Sequence, residues 1–126
     1  MKRLLITLLL AVLSTSAMAE WVQINANNNS TTYVDPTTIR KAGNKVKMWA
    51  MIDFKKRTEE IGDTLSQASQ YEIDCQNETT TQLAWVRYSG NMRTGHVVYS
   101  DNKRGDAAPN GPGTVGEFMW KVACGK

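Results

Sequence analysis

Residues 45–54 read Lys45-Val46-Lys47-Met48-Trp49-Ala50-Met51-Ile52-Asp53-Phe54, and the fold turns on this stretch. Its even positions, Val46, Met48, Ala50, Ile52 and Phe54, are all apolar. Its odd positions begin with Lys45 and Lys47 and end with Asp53, with Trp49 and Met51 between. Successive side chains of an extended chain point to opposite faces, so this period of two predicts a strand with one buried face and one partly wet face. Gly43-Asn44 just before it is a turn dipeptide. The polar segment 55–65 just after it, with Gly62, reads as a mobile hairpin connection.

The pattern repeats on both sides. Upstream, residues 21–24 form a short alternating segment, and the polar run 25–30 ends it. Residues 31–35 form another, stopped by Pro36, which has no N–H for a ladder, and residues 36–42 read as a brief connection. Downstream, residues 69–76 place Tyr71, Ile73 and Cys75 on one face and Gln70, Glu72, Asp74 and Gln76 on the other. Residues 81–88 set Leu83, Trp85 and Arg87 opposite Ala84, Val86 and Tyr88. Residues 89–95 then make a loop and residues 97–100 a last strand. Residues 101–113 hold Gly105, Pro109, Gly111, Pro112 and Gly113, which predicts an irregular loop.

At the C-terminal end the period changes. Thr114-Val115-Gly116-Glu117 fits a capping box, in which the threonine bonds the backbone N–H three residues on and the glutamate reaches back. Val115, Phe118, Met119 and Val122 follow at helical spacing, and Gly125 stands where a C-terminal cap belongs. A helix of about ten residues does not persist alone in water, so it must dock on the sheet. The expected fold is α+β: an antiparallel sheet of about six strands covered by one C-terminal helix.

The first residues carry a cationic start at Lys2 and Arg3 and an apolar run over residues 4–13. The break Ser14-Thr15-Ser16 and the small-x-small triplet Ala17-Met18-Ala19 follow. This is the grammar of a secretory signal peptide cleaved after Ala19, and the apolar run is about half of what spans a bilayer. The expected division is therefore residues 1–19 as leader and residues 20–126 as one domain, periplasmic or secreted. Glu20 follows the cleavage point in place of a lipoprotein cysteine, so no membrane anchor is expected. The trimmed chain carries 13 Lys+Arg against 12 Asp+Glu, a balance that supplies no general field for nucleic acid.

Export also places Cys75 and Cys124 in an oxidising compartment, where a pair normally closes. A metal site would want more ligands, and His96 is the only histidine. A disulfide closing about 48 residues would stabilise the fold by ~4 kcal/mol on the chain-entropy account. With Cys75 on the core side of its strand and Cys124 at the end of the docked helix, the two are expected to meet.

No constellation for catalysis emerges. His96 has no acidic residue beside it in sequence, Glu59-Glu60 lie in a polar loop, and Glu72 and Asp74 share a strand's outer face. No phosphate-cradling glycine loop and no metal-ligand spacing is present, so neither cofactor nor metal is expected. The candidate binding residues are instead the basic and aromatic ones around the first strand quoted. Arg40, Lys41, Lys45 and Lys47 fall close together, and Lys55, Lys56 and Arg57 follow at the far end of the same strand. With Trp49 they form a stripe suited to an acidic polysaccharide or an acidic stretch of a partner protein. The same charges also keep an exposed strand soluble and unpaired. Trp49 and Met51 on the wet face suggest that this face is covered, and a second copy of the chain, in a homodimer, would cover it.

The ordered set Tyr33-Val34-Asp35-Pro36-Thr37-Thr38-Ile39, Gly43-Asn44, Val46-Lys47-Met48-Trp49, Asp53-Phe54-Lys55, Ser66, Glu72-Ile73-Asp74-Cys75, Tyr88-Ser89-Gly90, Pro112-Gly113-Thr114-Val115-Gly116-Glu117 and Val122-Ala123-Cys124 resembles the surface-adhesin protein E family of Gram-negative bacteria. The resemblance covers nearly the whole chain after residue 19. It implies an antiparallel sheet packed by a C-terminal helix and a non-catalytic protein. Its founding member binds host proteins such as vitronectin, laminin and plasminogen. The expected function is thus that of an exported binding protein of this type, in contact with host or envelope macromolecules. The alternative is a periplasmic inhibitor or small-ligand carrier presenting the loop 89–95 as a plug.

Overall fold

The computed structural model describes residues 20–126, and the expected leader, residues 1–19, lies outside the described residues. Six strands follow in chain order: β1 (Val22–Ala26), β2 (Ser30–Ala42), β3 (Lys45–Thr58), β4 (Thr64–Asp74), β5 (Thr79–Tyr88) and β6 (Val97–Asp101). Each pairs antiparallel with the next, giving a meander of order β1-β2-β3-β4-β5-β6. A two-residue strand, β7 (Ala108–Pro109), pairs β5 off this path, and the helix α1 (Val115–Cys124) closes the chain.

The even side chains of β3 do face the core. Val46, Met48 and Ala50 join Val34, Ile73, Met119 and Ala123 in one buried cluster, between the sheet and α1. The helix begins as its sequence requires: the Thr114 hydroxyl accepts the Glu117 N–H at 3.3 Å. It ends at Gly125 in the left-handed conformation. Only half of the capping box forms, because the Glu117 carboxylate pairs with Lys121 one turn on, at 3.2 Å. The docked face is Val115, Met119 and Ala123 with Trp120 and Val122 beside them, whereas Phe118 stays outside the core cluster. Cys75 and Cys124 are joined, with their Cα atoms 5.7 Å apart. The Trp120 indole N–H donates to the Cys75 carbonyl at 3.3 Å, tying the same corner again.

Four expectations change. Strand β2 does not stop at Pro36 but continues to Ala42, because residues 36–39 bulge out and leave the proline without a ladder partner to disappoint. Strand β3 runs on through Lys55, Lys56 and Arg57 to Thr58, where Thr58 pairs Thr64 and the fully buried Thr64 starts β4. The connection there is a short 3₁₀ turn, Glu59–Ile61, not a long hairpin loop. Part of the 101–113 loop is regular: β6 covers only the Trp85–Tyr88 end of β5, so the remaining edge takes partners from this loop. Gly105 N–H donates to Gln82 O at 2.9 Å and Asn110 N–H to Glu78 O at 2.8 Å.

Candidate functional site

The face of the sheet away from α1 carries the odd residues of β3. Register sets Asp35, Trp49 and Gln70 in one cross-strand row, Tyr33, Met51, Ala68 and Val86 in the next, and Thr31, Asp53, Ser66 and Tyr88 in a third. A cleft of about 630 Å³ opens on this face. Its walls include Trp21, Trp49 and Tyr88, two arginines, Arg40 and Arg93, and the polar groups of Asp35, Thr37, Thr38 and Gln70. That volume falls in the ordinary range of ligand sites, roughly 300–1,000 Å³.

The floor is built by the bulge in β2. Asp35 is 2 % exposed, and its Oδ1 accepts both the backbone N–H and the hydroxyl of Thr37. The Thr38 hydroxyl donates to Asp35 O at 2.7 Å and accepts the Trp49 N–H at 2.9 Å. A side chain thus replaces a missing ladder bond, which is how the sequence Asp-Pro-Thr-Thr holds the bulge against β3. The bulge carries Arg40 to the rim, where its Nη1 donates to Ile39 O at 2.9 Å and Thr37 O at 3.2 Å. The Asp35 Oδ2 has no hydrogen-bond partner among the described residues.

The far wall is an arch, residues 89–96. Ser89 N–H donates to His96 O at 2.9 Å and Gly90 N–H to Thr94 O at 3.0 Å, closing its base. Gly95 there has φ +78, and a Cβ on it would stand 2.2 Å from the Ser89 Oγ. The arch is pinned down onto the sheet. The Ser66 hydroxyl donates to Gly90 O at 2.7 Å and accepts the Arg93 N–H at 2.9 Å. Asp53 Oδ1 accepts the Met92 N–H at 2.8 Å and the Asn91 amide at 3.1 Å. Met92 and Arg93 both adopt positive φ, 52° and 63°. Such conformations cost about 1–2 kcal/mol each in non-glycine residues and persist where the surroundings over-determine them. Here they aim the Arg93 guanidinium between two rings, 5.8 Å from the Trp21 centroid and 5.7 Å from the Tyr88 centroid.

Of the basic and aromatic candidates named from sequence, Trp49 and Arg40 line this cleft. Lys45 and Lys47 stand on the same face further along β3, and Lys45 Nζ lies 3.7 Å from Glu72. Arg104 reaches Glu72 at 2.7 Å from the 101–113 loop. The hydrogen bond from Arg104 holds the Glu72 carboxyl below its ordinary range against the opposing effect of burial, helped by the charges of Arg104, Lys45 and Lys47. Asp74 is also lowered, first by the Asn77 backbone N–H and then by the Asn77 and Gln76 groups of the same turn. The two outer-face carboxylates are thus engaged in a charge cluster and a turn. Lys55, Lys56 and Arg57 are exposed at the other end of β3, about 33 Å from Lys45 at strand rise. Arg57 pairs there with Asp63 at 2.6 Å. Lys45 and Lys47 thus stand toward one end of β3 and Lys55, Lys56 and Arg57 at the other, with Trp49 between them and Arg40 at the cleft rim.

Met51 is fully buried within the single chain. Its burial therefore does not depend on a second copy, and the arch is bonded to Asp53 and Ser66 in the neighbouring row. Arg93, Trp21, Tyr88 and Asp35 were not singled out from sequence. Parity placed Tyr88 on a strand face and Asp35 closed a segment before Pro36, but only long-range register brings them together, and Arg93 sits in a loop without period.

Ser89 and His96 come together, with the Ser89 Oγ 3.1 Å from His96 Nδ1. The same oxygen accepts the His96 backbone N–H at 2.9 Å, so the contact belongs to the closure of the arch. Among the described residues no acidic side chain bonds the imidazole, and no group of three or more His, Cys, Asp or Glu could hold a metal ion. Among them, too, no helix is long and apolar enough to cross a membrane.

In the structure comparison the chain is similar to crystal form II of Haemophilus influenzae protein E, with a TM-score of 0.63 at 14 % identity. That match covers 86 % of this chain and 97 % of the other. It is also similar to protein E from non-typeable Haemophilus influenzae, with a TM-score of 0.63 at 18 % identity, over 88 % of this chain and 79 % of that one. At such identities the likeness is one of fold. No curated protein matches the sequence. The family model described as Surface-adhesin protein E matches residues 21–125, essentially all of the described chain, and the protein belongs to that family.

Proposed function

We propose that residues 20–126 act, after export and removal of residues 1–19, as a non-catalytic binding protein that grips a host or envelope macromolecule in the outer-face cleft. One observation carries this reading: two arginines and three aromatic rings line a cleft whose floor and far wall are both fixed by hydrogen bonds. Aromatic and arginine side chains on a rigid frame are the residue types that dominate binding energy at interfaces. Family membership supports the adhesive class, and of the polar groups weighed for catalysis His96, Glu72 and Asp74 are engaged in the arch closure, an ion-pair cluster and a turn.

The inhibitor alternative would need the loop 89–95 to project as a plug. Residues 91–95 of that loop are exposed, but its backbone is bonded down onto Asp53 and Ser66, which favours the cleft over the plug. The test is binding of purified residues 20–126 to immobilised laminin, vitronectin and plasminogen, with fractionation of the producing cells. Arg93→Ala is expected to weaken at least one interaction about tenfold or more. Binding untouched by Arg93→Ala and Trp49→Phe would sink the cleft as the contact. A strictly periplasmic location would exclude the host and leave an envelope partner.

A further inference from the structure

Resting on the cleft as the contact site, we infer that its ligand is a carboxylated sugar, one or two pyranose rings of an acidic polysaccharide. Three features of the cleft each ask for one property of such a ring. The Asp35 side chain is almost wholly buried, yet its Oδ2 has no donor among the described residues. That oxygen is not sealed from solvent, and a carboxylate only accepts, so a ligand that displaces water from it must bring O–H or N–H donors into the floor. Gln70 beside it, in register with Trp49, offers an amide that both donates and accepts. Sugar hydroxyls meet both groups.

The aromatic walls ask for a flat apolar face. Trp21, Trp49 and Tyr88 present rings to the cleft, and the C–H face of a pyranose stacks on such rings while its edge stays polar. The rim asks for a single negative charge. Arg40 and Arg93 have no carboxylate partner within salt-bridge distance among the described residues. Arg40 is steadied by two backbone carbonyls and Arg93 by two rings. A guanidinium held in place binds a carboxylate through two parallel N–H bonds with little entropy left to lose. The buried Asp35 beneath also sets an upper limit on charge: a densely sulfated chain would crowd its sulfates against a carboxylate. The cleft volume of about 630 Å³ accepts rings of this size and stays open for a chain to continue.

The test uses the mature chain and four defined probes: oligogalacturonate, neutral dextran, dextran sulfate and polyglutamate. Binding is read by calorimetry and by the change in tryptophan fluorescence. Oligogalacturonate is expected to bind and to perturb the fluorescence, with dextran silent and dextran sulfate and polyglutamate at least tenfold weaker. Arg93→Lys, which keeps the charge and loses the fork, should weaken oligogalacturonate tenfold or more, and so should Arg40→Lys. Lys55→Ala with Lys56→Ala, at the far end of β3, should leave it unchanged. Both arginines are exposed, so these variants fold. Tighter binding of dextran sulfate would overturn the carboxylate, and tighter binding of polyglutamate would overturn the sugar. Loss of laminin, vitronectin or plasminogen binding in Arg93→Ala without any oligogalacturonate binding would overturn this ligand and leave the cleft standing.

Discussion

Glu72 sits where three cations converge on one carboxylate. Arg104 touches it, Lys45 stands at 3.7 Å, and Lys47 lies directly opposite in the β3–β4 register. Because the folded carboxyl is held below its ordinary value of 4.5, the cluster stabilises the protein fully above that pH. The contribution is lost as the pH falls from there through the lowered folded value, where the carboxylate takes up its proton. Lys45 and Arg104 are half exposed, so solvent limits the effect to about 1 kcal/mol or less. Glu72→Gln should therefore lower the urea midpoint slightly at neutral pH, and the gap should close as the pH falls below 4.5 and through the lowered folded value. Paired urea titrations across that range check it, and a gap that widens in acid would contradict the assignment. Half of this cluster was legible in the sequence. Strand parity put Glu72 and the two lysines on one face, but Arg104 arrives from a loop whose residues have no period to read.

Among the elements, the arch over residues 89–96 shows most plainly where sequence reading stops. A loop between Tyr88 and Val97 was expected from Gly90 and Gly95, yet nothing local says that it folds back over its own sheet. That fold depends on Ser66 and Asp53, which stand more than twenty residues away in sequence. Strand β2 fails to end at Pro36 for a similar reason: the Thr38 hydroxyl, and not the proline, decides whether the ladder to Trp49 survives. The arch also makes a prediction at this scale. Gly95→Ala puts a Cβ at a positive φ and into the Ser89 hydroxyl. It should cost about 1–2 kcal/mol, confined to the arch. Hydrogen exchange should then speed at the Met92, Arg93 and Thr94 amides, which bond Asp53, Ser66 and Asn91, while the β3–β4 amides keep their protection. Unchanged protection of those three amides would mean the arch is not held as a unit.

For the whole molecule, the question is what keeps α1 on the sheet. Its only fully buried side chains are Met119 and Ala123, and burying a methionine contributes about 1.5–3 kcal/mol. Ordering a ten-residue helix costs more backbone freedom than its own hydrogen bonds return in water. Docking through these contacts alone is therefore close to balanced, and the link at Cys75–Cys124 tips it. With the two cysteines 49 residues apart, cross-linking removes about 4 kcal/mol of denatured-state freedom on the chain-entropy account. That pairing was foreseeable from sequence, because parity put Cys75 on the core side and Thr114 and Gly125 marked both ends of the helix. Reduction should release the helix and expose the Val34–Met48–Ile73 face beneath it. Cys75→Ser with Cys124→Ser should therefore lower the unfolding free energy by about 4 kcal/mol and shed helical circular dichroism before the sheet melts. Two indoles make the readout specific: Trp120, hydrogen-bonded to Cys75 O, should become solvent-quenched on reduction, while Trp49 on the opposite face should not. Loss of both signals together, in one transition with the sheet, would show that the helix and the sheet stand or fall as one and that the disulfide acts on the whole domain.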